Sequence, residues 1–355
     1  MSRSRISLAI AAVFVGTLLL LAALRPTPPA AGGTAKAHGG ALKSWQSLRP
    51  FKLPRRALAA VAARGHLYVI GGMDGNGHYV APVEYAPILA DGRLGPWRQT
   101  SALQEPRFYL ATVALDGYLY ALGGASGPRG EDNRPSATVE RAAIQADGSL
   151  GPWQRLAYLT TPRRGLKAVV RGRHIYALGG YNGSFLKSVE HSRVAADGTP
   201  GPWRPDPERA RVSRYIHSAA ALGHHLYLLA GHVQHQNRMS YGDVESAALR
   251  PDGNLKPWHI QPSRLNVPRF IAEAFALENH LYILGGHDGG RRLRSVEYAP
   301  VDETGRVGPW TETTPLPEPR SAAAVAVWQG RVYVLGGMGG SRILSTVTMS
   351  RPRSR

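Results

Sequence analysis

The sequence predicts an all-β fold made of six repeated sheets, because three features each recur six times in 355 residues. A short apolar strand ends on a glycine pair that begins at position 71, 123, 179, 230, 285 or 336, with alanine at position 230. A tryptophan recurs in step with these strands, as Trp45, Trp97, Trp153, Trp203, Trp258 and Trp310. An arginine stands sixteen residues before every pair, as Arg55, Arg107, Arg163, Arg214, Arg269 and Arg320.

Each repeat is expected to form four antiparallel strands, a to d. In the second repeat, strand a runs from Tyr109 to an Asp-Gly turn at Asp116, and strand b ends at the glycine pair. Strand c contains Glu140, and a second Asp-Gly turn leads to strand d with Trp153. Alternating apolar residues separated by Asp-Gly pairs are typical of hairpins.

The Gly-Gly strand, its tyrosine and the spaced tryptophan resemble the kelch repeat, over about residues 44–349. The resemblance is to the bacterial exported type, and it implies a six-bladed β-propeller with one blade per repeat. The first tryptophan strand precedes the first a–b–c set, and the last set ends at Met349. The strand around Trp45 is therefore expected to complete the C-terminal blade and to close one domain over residues 43–350.

The N-terminus has the composition of an export signal. Arg3 and Arg5 precede an apolar run over residues 8–24, and Arg25 is followed by prolines. We expect residues 1–25 to be a cleaved signal peptide or an uncleaved anchor, with residues 6–24 as the possible membrane tether. Both alternatives place the rest of the chain outside the cytoplasm, in the periplasm or the extracellular space. The expected remaining segments are a flexible linker over 26–42 and a basic tail over 351–355.

The composition limits the partners and the kinds of catalysis that are expected. The net charge of +19 favours anionic partners, although a basic solvated surface is the alternative. The chain has no cysteine, which excludes disulfides, thiol catalysis and cysteine-ligated metals. Nucleic acid is an unexpected partner for an exported protein, and no cofactor is expected.

Strand connectivity separates two faces. The a–b and c–d turns share one face, which we call the turn face, and the b–c and d–a loops share the other, the loop face. Short Asp-Gly turns repeat on the turn face, whereas the loops differ between repeats. Variable loops on a rigid scaffold are a usual place for recognition. The b–c loops span residues 73–81, 125–137, 181–187, 232–242, 287–294 and 338–343.

The recurrent arginines are candidates for an anion-binding ring at the channel mouth, because they precede strand a on the loop face. The candidate ligand-binding residues are Arg107, Arg163, Arg214, Arg269 and Arg320, with Phe108, Tyr215 and Phe270 beside them. The alternative for the aromatic residues is packing. The alternative for the arginines is a latch between blades, in which each pairs with a strand-c glutamate. These glutamates are Glu84, Glu140, Glu190, Glu245 and Glu297, whereas the sixth repeat has Thr348. Arg320 or a neighbour is therefore expected to be free.

Histidines concentrate in the fourth and fifth repeats. His232 and His287 follow equivalent glycine pairs, and His235 and Asp288 lie close by in sequence. Imidazoles and a carboxylate on neighbouring loops are suitable ligands for a divalent metal. The alternative is that these side chains form ordinary hydrogen bonds or face water.

Two functions from different classes follow from the resemblance. The first is an extracytoplasmic binding or scaffold protein that recognises a protein or an anionic carbohydrate through its loop face. The second is a small-sugar enzyme of the mutarotase or isomerase kind at the channel mouth, although no catalytic residue is singled out. Without cysteine, the chain cannot build the cofactor of kelch-like copper radical oxidases that resemble galactose oxidase. The sequence favours the binding protein over the enzyme.

Overall fold

The computed structural model describes residues 39–127, 133–235 and 238–353, with side chains described outside 233–238. The expected signal peptide or anchor, and most of the expected linker, lie outside these ranges. Within the described residues, no helix has the length and apolar character needed to cross a membrane.

The described chain forms six four-stranded antiparallel sheets, which confirms the all-β, six-bladed β-propeller. In blades 1 to 3, strands a to d are Ala59–Ala63, His66–Ile70, Val83–Pro87 and Arg98–Thr100; Ala111–Leu115, Tyr118–Leu122, Val139–Ala143 and Gln154–Arg155; and Lys167–Arg171, His174–Leu178, Val189–Arg193 and Arg204–Pro205. In blades 4 to 6 they are Ser218–Leu222, His225–Leu229, Val244–Ala248 and His259–Ile260; Glu273–Leu277, His280–Leu284, Val296–Pro300 and Thr311–Thr313; and Ala324–Trp328, Arg331–Leu335, Val347–Ser350 and Gln46–Leu48. Within every blade, strands a to d are neighbours in that order.

Strand d of blade 6 comes from the N-terminal side, as the sequence predicts. Gln46 pairs with Met349 and Leu48 with Val347. The pairing continues beyond the expected bounds of 43–350, because Leu42 bridges Pro352 and the Arg353 amide donates to the Ala41 carbonyl. The end of the expected linker and the start of the expected basic tail therefore belong to blade 6.

A tyrosine in each strand b fixes the contact with the following blade. Its hydroxyl donates to the carbonyl of a glycine in the next c–d turn, and Gly40 takes that place in blade 6. The six pairs are Tyr68–Gly148, Tyr120–Gly198, Tyr176–Gly253, Tyr227–Gly305, Tyr282–Gly40 and Tyr333–Gly92. Burial raises the pKa of Tyr120 and Tyr333 to about 12, so these hydroxyls remain donors at neutral pH.

The hydrophobic core lies between neighbouring blades. At the junction of blades 6 and 1, Tyr333 and Leu335 pack with Leu67, Val69 and Trp97, all of them buried. Three short ribbons extend some b–c loops, and they pair Ala125–Ser126 with Arg134–Pro135, His232–His235 with Arg238–Ser240, and Met338–Gly339 with Arg342–Ile343.

Candidate binding face

The recurrent arginines are buried inside the blades and do not surround an open mouth. Arg107, which is 0% exposed, pairs with Glu140, and its guanidinium also donates to the carbonyls of Gly123 and Thr138. Equivalent ion pairs join Arg55–Glu84, Arg163–Glu190, Arg214–Glu245 and Arg269–Glu297. Carboxylate partners neutralise these charges in the interior. The predicted anion-binding ring of arginines at the channel mouth is therefore wrong.

The latch between blades is made by the arginine backbone. The second glycine of each pair donates its amide to the arginine carbonyl of the next blade. These contacts are Gly72–Arg107, Gly124–Arg163, Gly180–Arg214, Gly231–Arg269, Gly286–Arg320 and Gly337–Arg55, at 2.8–3.0 Å. The side-chain ion pairs lie within single blades instead. The predicted arginine–glutamate pairs are therefore present in blades 1 to 5, but backbone hydrogen bonds, and not these pairs, make the latch between blades.

Blade 6 lacks the glutamate, but Arg320 is not free. Its guanidinium donates to the Glu318 carboxylate at 3.0 Å and to the Thr346 hydroxyl at 2.8 Å. Thr348 occupies the place of the missing glutamate and is buried. The prediction of a free arginine in blade 6 is thus wrong, because Glu318 in the preceding loop supplies the carboxylate that strand c lacks.

A closed belt of backbone hydrogen bonds surrounds the channel just below the loop face. The residue two positions after each arginine has a positive φ, and its amide donates to the equivalent carbonyl of the preceding blade at 2.8–3.2 Å. The belt comprises Ala57, Tyr109, Gly165, Ile216, Ile271 and Ala322, which also line the channel. Positive φ is unfavourable for isoleucine, and the closed ring of hydrogen bonds holds Ile216 and Ile271 in that conformation.

Around the belt, the residue after each arginine bridges the residue after the glycine pair of the same blade. The six pairs are Arg56–Met73, Phe108–Ala125, Arg164–Tyr181, Tyr215–His232, Phe270–His287 and Ser321–Met338. The position after the arginine and the position after the glycine pair therefore form one inner ring on the loop face. The central part of the loop face thus consists of pairs that differ in every blade.

Aromatic rings form a continuous series across this ring, which we call the aromatic arc. Ring centroids are 4.8 Å apart for Tyr79–Phe108, 5.0 Å for Phe108–Tyr109 and 6.3 Å for Tyr109–Tyr215. The series continues through Tyr215–Phe185, Phe185–His232, His232–Phe270 and Phe270–His287 at 5.8, 5.7, 5.1 and 5.4 Å. It runs from blade 1 to blade 5.

The predicted aromatic candidates all lie in the aromatic arc, but they differ in exposure. Phe108 and Phe270 are buried, so their main contribution is packing. Tyr215 and Phe185 are half-buried. A ligand can therefore reach the arc at Phe185 of blade 3 and at Tyr215 of blade 4.

Three arginines accompany the arc without carboxylate partners in the described part of the chain. The Arg164 guanidinium lies 4.9 Å from the centroid of Tyr181 and 5.6 Å from that of Tyr215. Arg56 and Arg292 instead contact methionine sulfurs. The loop face therefore retains positive charge next to aromatic rings, although the recurrent arginines do not supply it.

The predicted metal ligands have other partners where the structure describes them. His232 and His287 lie on either side of Phe270, and their Nδ1 atoms contact the Met239 carbonyl and the Gly289 amide. Asp288 accepts amides of its own turn, and these bonds lower its pKa against the opposing effect of burial. The side chain of His235 lies outside the described set. Among described residues, no three His, Asp or Glu side chains converge on a metal position.

An ion pair lies in the channel wall. The Lys167 ammonium of blade 3 donates to both Glu273 carboxylate oxygens of blade 5, at 2.6 and 2.7 Å. The equivalent positions in blades 1, 2 and 6 are Ala59, Ala111 and Ala324. Burial raises the pKa of Glu273, and Lys167 partly opposes that shift. This pair joins non-adjacent blades across the channel.

Sequence reasoning missed Phe185, Arg292 and the Lys167–Glu273 pair. The pair had a detectable signal, since charges replace alanine at a repeated position. Phe185 and Arg292 lie inside variable loops, where no repeat position marks them. Only the folded ring brings them beside the marked positions.

Comparison with known proteins supports the repeat family. The Kelch motif model matches residues 162–191, 272–298 and 319–348. Kelch-like protein 35 of Mus musculus is 29% identical over 67% of this chain, and beta-scruin of Limulus polyphemus is 25% identical over 68%. The chain spans only 36% and 26% of these relatives. The solved structure of YjhT is similar with a TM-score of 0.64 and 16% identity, over 85% of this chain and 95% of that one, which shows the fold alone.

Proposed function

We propose that this kelch-repeat propeller is an exported binding or scaffold protein, and that its loop face recognises a protein or an anionic glycan. The observation that carries the proposal is the half-buried part of the aromatic arc, Phe185 and Tyr215. The ring of Tyr181 lies beside both of them, and the Arg164 guanidinium packs over Tyr181 and Tyr215. Aromatic faces next to guanidinium groups suit sugar rings, planar groups and acidic peptides.

The rigidity of the scaffold supports this proposal. Tyr109 of the belt contacts both Phe108 and Tyr215, so part of the aromatic arc rests directly on the closed ring of backbone hydrogen bonds. Binding then orders few groups, and preorganisation lowers the entropic cost of association. Export is supported by the N-terminal sequence, with Arg3 and Arg5 ahead of the apolar run.

The glycan arm of the proposal is tested by removing one half-buried ring of the arc. Phe185→Ala is expected to weaken binding to polygalacturonate or dextran sulfate at least about tenfold, which corresponds to about 1.4 kcal/mol. The measurement is biolayer interferometry with neutral dextran as the reference. The matched control is Leu89→Ala on the turn face, where the side chain is 45% exposed. Equal binding by all three proteins would contradict recognition through the aromatic arc.

The protein arm uses a photoreactive phenylalanine at position 185 or 89 in cells that export the chain. A protein partner of the loop face is expected to crosslink from position 185 and not from position 89, and mass spectrometry identifies it. Absence of both glycan binding and site-specific crosslinks would overturn the proposal.

A second candidate, a sugar-isomerising enzyme, is favoured by Glu273, a carboxyl group of raised pKa in the channel wall. Its test is proton NMR of anomer exchange across a panel of acidic sugars. The enzyme would accelerate exchange, and Glu273→Gln would abolish that acceleration. No acceleration with any sugar would leave the binding function alone.

A further inference from the structure

Two arginines from different blades contact the same sulfur atom on the loop face. Arg56 of blade 1 places Nη1 3.4 Å from Sδ of Met338, and Arg292 of blade 5 places Nη2 3.7 Å from it. The other contacts of these two guanidinium groups are Met73 Sδ at 3.3 Å for Arg56 and Ser321 Oγ at 3.1 Å for Arg292.

These contacts leave both charges without compensation. A thioether is a weak acceptor, and like charges that share one sulfur repel each other. All six recurrent arginines are buried and have carboxylate partners, five of them from strand c and the sixth, for Arg320, from Glu318. In the described part of the chain, Arg56 and Arg292 have none. Both are half-buried, so water screens them only partly.

We infer that Arg56 and Arg292 form a subsite for an oxyanion group, a carboxylate or a sulfate or phosphate ester, at the junction of blades 5, 6 and 1. A guanidinium offers paired N–H donors that match the spacing of oxyanion oxygens. The oxyanion displaces the Met338 thioether from between the two arginines. Ser321, whose hydroxyl accepts from Arg292, holds that side chain in place.

The subsite rests on the proposed loop-face function, because it specifies the charged group that the partner carries. It lies at the blade 1 side of the aromatic arc: Arg56 bridges Met73, and Met73 bridges Tyr79, the first ring of the arc. A partner that stacks on the arc and carries an acidic group is bound by both features.

The chain offers its own reporter for this site. It has five methionines, and Met338 and Met73 lie at the subsite, whereas Met349 is buried in the core and Met239 is exposed elsewhere on the loop face. With ¹³C-methyl-methionine labelling, we expect a saturable shift of the Met338 methyl resonance on titration with sulfate, phosphate or acetate. Sodium chloride at matched ionic strength is the reference, and Met349 is expected to remain unshifted.

Two variants make the test specific. Arg292→Ala is expected to abolish the saturable Met338 shift, whereas Arg291→Ala, which removes the same charge from an 84% exposed neighbour, is expected to retain it. A saturable Met338 shift with sulfate or phosphate but not with acetate would identify an ester group as the ligand. A saturable shift with acetate would identify a carboxylate. A Met338 shift no larger than with chloride, or one that survives Arg292→Ala, overturns the subsite. This test needs no partner, so its failure is separate from failure of the Phe185→Ala experiment.

Discussion

At the scale of single residues, the buried polar side chains of this propeller differ in how completely they are hydrogen-bonded. The recurrent arginines are buried, and each pairs with a carboxylate and donates to at least one backbone carbonyl, although Nε of Arg320 has no partner among the described residues. His217 is also buried, at 1% exposure, yet neither ring nitrogen has a partner among the described residues. In blades 1, 2 and 3 the equivalent positions are Leu58, Leu110 and Leu166. The imidazole therefore occupies an apolar position.

His217→Leu is expected to stabilise the protein, because an unpartnered buried polar group costs about 1–3 kcal/mol. Burial and the nearby charges of Arg214, Lys167 and Arg163 hold the pKa of His217 well below its ordinary value. The unfolded chain binds a proton as pH falls through about 6.5, but the folded chain does not. The gain from leucine should therefore grow below pH 6.5.

Urea unfolding at pH 8 and at pH 5.5 measures this difference. The matched control is Leu166→His, which is expected to lose stability, and more of it at the lower pH. A His217→Leu variant less stable than wild type at both values would show that the imidazole has a partner.

At the scale of elements, the glycine pair sets how closely two blades approach. A methyl group on Gly123 would lie 2.6 Å from the Arg163 carbonyl oxygen and 3.1 Å from a methyl of Leu166. Ala230 stands at the same position in blade 4 with a φ of 58°. The next blade has Ala272 where blade 3 has Leu166, so space for the alanine methyl exists. In blade 4, the larger residue of the pair thus faces a smaller residue of the next blade.

Gly123→Ala is expected to destabilise the protein by more than the roughly 1–2 kcal/mol that a left-handed conformation costs alanine. Ala230→Gly is expected to change the free energy of unfolding by less than about 1 kcal/mol. Thermal unfolding of both variants checks the contrast. Similar losses in the two would mean that the carbonyl and leucine contacts do not limit the blade spacing.

The strands and turns could be predicted from sequence because they depend on local patterns. Alternation, Asp-Gly turns and the glycine pairs gave four strands per repeat, and the structure has them. The arginine role could not be predicted in the same way. Arg107 and Glu140 are marked by spacing, but spacing does not say whether a guanidinium faces solvent or a carboxylate. That depends on burial, and the desolvation cost of an unpaired charge decides it.

At the scale of the whole molecule, closure depends on contacts between distant parts of the chain. The first and last strands pair in blade 6, and the carbonyl of Arg55 accepts from Gly337 to close the ring of latches. Across the channel, Lys167 and Glu273 connect blades 3 and 5, which are not neighbours. Among the described strand-a residues, this is the pair of charged side chains that meet across the channel.

A double-mutant cycle measures that link. Lys167→Met leaves an unpaired carboxyl group of raised pKa in the channel wall. This single variant is therefore expected to lose more free energy of unfolding than the Lys167→Met, Glu273→Gln double variant. The expected coupling energy between the two side chains is about 1–3 kcal/mol. Because the pKa of Glu273 is raised in the folded protein, this carboxyl group ionises first in the unfolded chain as pH rises above about 4.5. The single variant should therefore lose stability between pH 4.5 and 7, and the double variant should not.

Chemical denaturation across this pH range checks both expectations. Additive losses would show that the two charges do not interact in solution. A single variant with no pH dependence would show that Glu273 titrates as it does in the unfolded chain.

The sequence by itself determined the number of blades, their strand order and the closure by the Trp45 strand, because these follow from a covalent repeat. Only the tertiary structure decided which residues of the loop face meet one another. Arg56 and Arg292 are far apart in the chain and meet at one sulfur because the ring brings blade 1 next to blade 6. The recurrent arginines share a repeat position and yet are hidden, because burial of a charge requires a partner, and the strand-c glutamates and Glu318 supply it.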